Sequence, residues 1–283
     1  MNKILKTKKL SRPQFNQMDT TEKQTLMESL AARYNMTFLD LHTFDRWGQS
    51  STTGIFEKDG RKFVFVPGDT VTLGWEQFAE GLNQESREEL EYLFREWEME
   101  PQNPEEMIRE SMAPVRQAVI GPMLVGRELE ELCWEPVKMD DPRLTAHPDW
   151  LKEFRDFAWS DSSSLTLHQS ARIERTEDGF QTWIYHCTDY DALLAGLEKQ
   201  GLSLPTADEW AYLCGGGCRT LFPWGDGLDY SMRLRWFEDM DEDENRPYDM
   251  EEPNFFGLSI AYDPYMREVV QADRLTTCGG DGG

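Results

Sequence analysis

The sequence has little positive charge and no long hydrophobic run. Only 29 Lys and Arg residues stand against 53 Asp and Glu, which gives a formal net charge of −24. Such a surface repels phosphate, so nucleic acids and anionic membranes are excluded as expected partners. No stretch is apolar over a membrane-spanning length, and the N-terminus lacks the apolar core of a signal peptide. We therefore expect a cytoplasmic protein.

Cysteine is also scarce. Five cysteines are an odd number and too few for a secreted disulfide scaffold, so the sequence predicts reduced thiols. Cys214 and Cys218 form a C-x-x-x-C pair, but Cys133, Cys187 and Cys278 supply no second pair of the kind that a structural zinc site needs. A transient disulfide between Cys214 and Cys218 is the alternative interpretation.

Motifs of common enzymes are missing as well. No G-x-S-x-G, Walker or dinucleotide-binding motif is present. The four histidines are scattered, and none belongs to an H-x-x-x-H-x-E arrangement that could hold iron. They are His42, His147, His168 and His186.

Aromatic residues, in contrast, are plentiful. Fifteen Phe, ten Trp and nine Tyr can fill a sizeable core, so the chain is predicted to fold. We expect an N-terminal leader with a short helical segment over residues 1–58, of which 1–18 form a flexible basic leader. A main domain follows over 59–283, with a diverged helical middle region at about 77–187.

Local patterns predict the helices and strands. Apolar residues at helical spacing predict helices over residues 20–35, 84–97, 105–112, 148–159 and 189–200. In the second of these, Leu90, Leu93, Phe94 and Trp97 form the stripe that is expected to dock on a core.

Turn residues predict the strand connections. Pro67-Gly68-Asp69 predicts a hairpin between Phe63–Val66 and Thr70–Leu73. Short strands are expected on either side of Gly121-Pro122, and Asp178-Gly179 indicates a second hairpin. The polar stretch 161–169 is predicted to be a loop.

The stretch LSLPTADEWAYLCGGGCRTLFPWGDG, residues 202–227, contains a helix start and stop. Thr206 and Glu209 fit the capping box, in which each side chain bonds the backbone N–H of the other residue. The helix is expected to end at Gly215-Gly216-Gly217, since glycine is a poor helix former and tolerates positive φ.

This stretch resembles the R-L-P-T-x-x-E-W-E-Y-A-A-R-G-G…Y-P-W-G-D segment of the formylglycine-generating enzyme family, also called sulfatase-modifying-factor domains. Three further segments fit in order. FVFVPGDTVTLGW is similar to F-x-x-I-P-G-G-x-F-x-M-G, PNFFGL to P-N-x-F-G-L, and LTTCGGDGG to V-x-R-G-G-S. Together they cover about residues 60–76 and 188–283.

The resemblance implies an α+β, C-type-lectin-like fold with short antiparallel strands, a few helices and long loops. It also implies framework roles, in the core helix, a packed turn and two glycine-containing loops, for Thr206, Glu209, Trp210, Pro223, Trp224, Gly225, Asn254, Gly257, Gly279 and Gly280.

For catalysis, the resemblance implies a copper-binding cysteine pair shortly after the position of Gly279-Gly280, where this sequence has only three more residues. Cys278 stands where the family has arginine, and Cys214 and Cys218 match its A-A-R-G-G segment. We therefore expect a catalytically silent binding or scaffold domain whose partner is an unknown protein or small-molecule ligand. The alternative is a copper-dependent formylglycine-generating oxidase whose active-site strand lies outside this sequence.

A third hypothesis is a calcium-dependent, lectin-like module, so calcium is a possible cofactor. The acidic run 238–252 lacks the glycine of an EF-hand loop, and a solvated loop is the favoured interpretation. Of the family segment that contributes to a calcium site, only Glu268 is retained. A ligand groove could be lined by Trp134, Trp150, Trp159, Trp183, Trp210, Trp224 and Trp236, although core packing explains most of them.

Overall fold

A computed structural model describes residues 10–100, 103–176, 178–234 and 247–280. The helices are α1 (Arg12–Asn16), α2 (Thr20–Tyr34), α3 (Gln84–Glu96), α4 (Pro104–Ser111), α5 (Pro142–Thr145), α6 (Pro148–Ala158), α7 (Tyr190–Lys199) and α8 (Ala207–Gly215). The strands are β1 (Thr37–Arg46), β2 (Gln49–Lys58), β3 (Arg61–Val66), β4 (Asp69–Leu73), β5 (Arg116–Ile120), β6 (Met123–Gly126), β7 (Trp134–Val137), β8 (Ser164–Leu167), β9 (Ala171–Thr176), β10 (Gly179–Tyr185), β11 (Glu268–Val270) and β12 (Thr276–Cys278).

The chain divides into two compact units. The larger unit comprises Met1–Leu129 and Leu204–Gly283, and the smaller unit comprises Glu130–Ser203. The smaller unit overlaps the predicted middle region over residues 130–187. Helices and short antiparallel sheets occur in both units, so the α+β class is confirmed.

The main sheet of the larger unit has the antiparallel order β1-β2-β3-β6. Its longest hairpin, β1–β2, turns at Trp47-Gly48, where both residues have positive φ, as a two-residue hairpin turn requires. The sequence analysis did not predict these two strands. The predicted division after residue 58 lies at the turn between two paired strands of this sheet.

The core of the larger unit is built from β3, β4, α8 and the PNFFGL loop. Its fully buried side chains include Val64, Val66, Leu73, Tyr212, Leu213, Phe255, Phe256 and Leu258. The smaller unit has its own antiparallel sheet, β7-β10-β9-β8, whose core includes Leu144, Phe154, Phe157, Ala171, Ile173 and Ile184.

The predicted flexible leader is wrong for residues 10–18. Leu10 and Phe15 are buried, and the ring of Phe15 lies 5.2 Å from that of Phe65. The Arg12 backbone N–H donates to the carbonyl of Gly68 at 2.6 Å. Two buried apolar side chains five residues apart, together with hydrogen bonds from Arg12, anchor this segment to the larger unit. Residues 1–9 lie outside the described residues.

The hairpin predicted across Pro67-Gly68-Asp69 is also wrong. Both strands exist, but β3 pairs with β2 and β6, whereas β4 pairs with β5. The turn therefore connects two sheets. A local turn signal shows that the chain changes direction, but it does not select the partner of each strand.

Two smaller expectations fail for similar reasons. Residues Ser164–Leu167 form β8 instead of a loop, because Leu165 and Leu167 pack against the smaller unit's core. Trp97 is 67% exposed, since α3 ends at Glu96 and the following residue leaves the helical path. The other predicted helices, the β9–β10 hairpin and the strands beside Gly121-Pro122 are confirmed.

Candidate functional site

The start of α8 has the geometry that its sequence predicted. The Glu209 carboxylate accepts from the Thr206 backbone N–H at 2.8 Å, and the Thr206 hydroxyl oxygen accepts from the Glu209 N–H at 3.3 Å. The helix ends at Gly216, which has φ +61°. The predicted capping box and glycine stop are therefore confirmed, and both polar side chains at the helix start bond each other's backbone.

Trp210 links α8 to the β11–β12 hairpin. Its indole N–H donates to a Glu268 carboxylate oxygen at 2.7 Å, and the other oxygen accepts from the Ala261 N–H at 2.6 Å. Burial raises the pKa of Glu268 above its usual range. Gly279 lies against the indole ring: a Cβ at this position would lie 3.3 Å from a ring carbon of Trp210. Glu268 thus anchors a tryptophan and a loop in this structure.

The PWGD segment forms a closed turn. The backbone groups of Phe222 and Gly225 bond each other in both directions, at 2.9 and 3.2 Å. Pro223 occupies the turn between them, and the rings of Phe222 and Trp224 stack with centroids 4.8 Å apart. The Trp224 indole N–H donates to the carbonyl of Gly227 at 3.1 Å. The turn is therefore rigidly held by its own backbone and rings.

Asp226, the last residue of this segment, connects the turn to a distant loop, and the sequence analysis did not single it out. Its side chain is buried, and its carboxylate accepts from three backbone N–H groups: Leu221 at 2.8 Å, Glu80 at 2.6 Å and Gly81 at 3.1 Å. It joins two loops that are 145 residues apart in sequence. Its place in the quoted motif was the only signal available.

Asn254 and Gly257 shape the PNFFGL loop. Buried Asn254 donates its side-chain N–H to the carbonyl of Leu213 at 2.8 Å and accepts from the N–H of Phe256 at 2.9 Å. Gly257 has φ +83°, and a Cβ there would lie 2.5 Å from a ring carbon of Phe44. Asn254 fastens the loop to α8, and only glycine fits at residue 257.

Comparison with protein-family models, with curated proteins and with solved structures finds no match. The contacts within this chain therefore carry the functional argument.

The three thiols of the larger unit lie in surroundings that suppress ionisation. Burial raises the pKa values of Cys214, Cys218 and Cys278, most strongly that of Cys214. The thiolate is the nucleophile and the metal ligand, so a raised pKa lowers reactivity. All five cysteines of the chain are unbridged.

The calcium hypothesis stays a prediction. Residues Glu238 to Glu244 of the acidic run and Trp236 lie outside the described residues. Within the described ranges, no group of three or more His, Cys, Asp or Glu side chains could hold a metal ion. No helix in that part of the chain has both the length and the apolarity needed to cross a membrane.

The tryptophans proposed for a ligand groove have separate environments. Trp134 and Trp183 flank the Arg172 guanidinium, at 5.1 and 4.4 Å from their ring centroids. Trp150 stacks on His147 with centroids 3.8 Å apart, and Trp159 is 93% exposed. Trp210 and Trp224 have the framework contacts described above.

Proposed function

We propose that this chain is a non-enzymatic binding or scaffold module with a formylglycine-generating-enzyme-like, C-type-lectin-like framework. The observation that carries the proposal is the use of the polar motif side chains. Glu209 bonds the backbone at the start of α8, and Asp226, Asn254 and Glu268 bond to backbone or indole groups that connect loops to the rest of the larger unit. These side chains stabilise the fold.

The thiols support the same proposal. A formylglycine-generating oxidase needs cysteines that can bind copper as thiolates, and thiolate formation is disfavoured where burial raises the pKa. This is the case for Cys214, Cys218 and Cys278. The framework would present a surface or pocket for a protein or small-molecule partner.

The test is an oxidation assay with the purified chain. A peptide with the C-x-P-x-R sulfatase motif is incubated with the chain, Cu(I) and oxygen, and conversion of its cysteine to formylglycine is followed by mass spectrometry. We expect no conversion above the copper-only control. Copper-dependent turnover that exceeds this control would overturn the proposal in favour of the oxidase.

A variant identifies the source of any turnover. Cys214→Ser/Cys218→Ser/Cys278→Ser removes all thiols of the larger unit and leaves Cys133 and Cys187. If the wild-type chain shows turnover and this variant does not, the thiols of the larger unit perform the chemistry.

A further inference from the structure

The smaller unit contains an open pocket beside α6. It encloses about 390 Å³, which lies within the range of pockets that bind small organic molecules. Buried Phe154 and Ile173 form its floor, and Leu151 and Ala158 line one wall. Leu151, Phe154 and Ala158 follow the i, i+3, i+7 spacing of one helix face.

The rim of the pocket is apolar and exposed. Met139 and Phe180 line it, and each is 43% exposed to solvent. Two large, exposed apolar side chains in one pocket lining offer surface that an apolar group could cover. The pocket is therefore suited to the hydrophobic body of a ligand.

The single charged side chain in the lining is that of Arg155. Its Nε donates to the Leu151 carbonyl at 3.2 Å, and no carboxylate of the described residues is ion-paired with it. In the same unit, Arg143 and Arg172 each pair with two carboxylates. Arg155 is thus the residue of this lining that can supply a positive charge to an anion.

We propose that this pocket binds a small amphipathic monoanion, with an apolar body on Phe154 and Ile173 and a carboxylate or sulfonate at Arg155. A guanidinium offers paired N–H donors that match the two oxygens of a carboxylate. The proposal rests on the binding role proposed above and gives that role a site and a ligand class.

The net charge of −24 opposes binding of an anion, and salt limits the range over which this repulsion acts. Exposed charges farther away than about 8–10 Å are largely screened at physiological salt. The acidic residues of α6, Asp149, Glu153 and Asp156, do not line the pocket. Two cations lie beside the pocket: Arg155 belongs to its lining, and the Arg175 guanidinium lies 5.2 Å from the ring centroid of the rim residue Phe180.

The test uses a pair of fluorescent probes with similar aromatic bodies. Anilinonaphthalene sulfonate carries one negative charge, and phenylnaphthylamine is its uncharged counterpart. We expect both to bind the purified chain at one saturable site. Added salt should weaken binding of the anionic probe and leave the neutral probe unchanged. Absence of saturable binding by the anionic probe would overturn the proposal.

Two variants that each remove one positive charge distinguish a local effect of Arg155 from an effect of the chain's net charge. Arg155→Gln is expected to lower the affinity for the anionic probe by about two- to fivefold, as for loss of an exposed ion pair. The affinity for the neutral probe should not change. Lys152→Gln lies on the same helix outside the pocket lining and should change neither affinity. Equal weakening by both variants contradicts the proposed role of Arg155.

Two further variants test the pocket itself. Ala158→Phe places a ring in the cavity and should abolish saturable binding of both probes. Met139→Glu changes an exposed rim residue, so the fold should be retained, and its carboxylate should abolish binding of the anionic probe. Unchanged binding in either variant would place the probe elsewhere and overturn the proposal.

The results also separate this proposal from the proposed function. Probe binding together with sulfatase-peptide turnover would overturn the non-enzymatic role and leave the pocket assignment standing. Absence of both activities would overturn the pocket assignment alone.

Discussion

Asp226→Asn tests whether the PWGD segment holds distant loops together. The wild-type carboxylate accepts from the N–H groups of Leu221, Glu80 and Gly81, with one oxygen bonded to Leu221 and the other to both remaining groups. Asparagine has only one acceptor oxygen at this side-chain position. Whichever way its amide turns, an N–H donor meets at least one N–H that wild type satisfies.

The expected loss in the free energy of unfolding is worked out for the amide orientation that loses fewer hydrogen bonds. If the amide oxygen keeps both bonds to the 80–81 loop, the partly buried N–H of Leu221 loses its bond to the charged carboxylate of buried Asp226. Such a loss costs about 3 kcal/mol of the free energy of unfolding. At about 1.4 kcal/mol per tenfold change, local opening becomes about a hundredfold more frequent.

Amide hydrogen exchange measured by NMR is the direct assay. The N–H groups of Glu80, Gly81 and Leu221 should exchange faster in Asp226→Asn, and urea denaturation should show the loss in unfolding free energy. Asp229→Asn is the matched control, because Asp229 is exposed and its carboxylate accepts, among the described residues, from Ser231 alone. The control should change stability by less than about 0.5 kcal/mol. Exchange in Asp226→Asn within threefold of wild type would refute the reasoning.

Three other predictions concern the larger unit and its thiols. Gly257→Ala should lower the free energy of unfolding by about 3 kcal/mol, because it adds a ring clash to a strained φ, whereas Gly48→Ala, with φ +70° and open space, should cost about 1 kcal/mol. In iodoacetamide labelling followed by mass spectrometry, exposed Cys187 should react well before Cys214, whose pKa is raised by burial. Burial also raises the pKa of Glu268, so the folded chain holds the proton on residue 268 more tightly than the unfolded chain does. The stability that this proton contributes at acidic pH is lost as the pH rises through the pKa of Glu268 in the folded state. The difference in unfolding free energy between wild type and Glu268→Gln should therefore fall as pH rises above the ordinary value of 4.5, in urea titrations over a pH series.

Each of these has a contrary result. Equal losses for the two glycine variants would mean that the ring contact at residue 257 is relieved without cost. Labelling of Cys214 as fast as Cys187 would show that α8 opens readily. A pH-independent difference between wild type and Glu268→Gln would mean that residue 268 titrates alike in the folded and unfolded chains.

Local sequence signals predicted local structure well. The Thr206–Glu209 capping box, the Asp178-Gly179 turn and the apolar stripe of α6 each depend on residues within one or two turns of chain. Their conformations follow from backbone and side-chain groups that are already neighbours in sequence. The capping-box residues Thr206 and Glu209 were therefore identified in advance, whereas the contacts of Asp226 and Glu268 are seen only in the structure.

Strand partners were not predictable in the same way. The Pro67-Gly68-Asp69 turn is present, but β3 and β4 belong to different sheets. The choice depends on which arrangement buries the most apolar surface, and this is a property of the whole larger unit. The same reason explains why the segment 10–18 is anchored by Leu10 and Phe15 although its local composition indicated a flexible leader.

Most helices, the caps of α8 and the net charge followed from the amino-acid sequence, because these depend on propensity, spacing and charge count, whereas the α+β class came from the family resemblance. The strand pairing, the three-donor role of Asp226 and the burial that suppresses thiol ionisation required the tertiary structure. It alone brought Arg155 to the rim of an apolar pocket. These features join residues that are distant in sequence, and their contacts exist only once the core has excluded water.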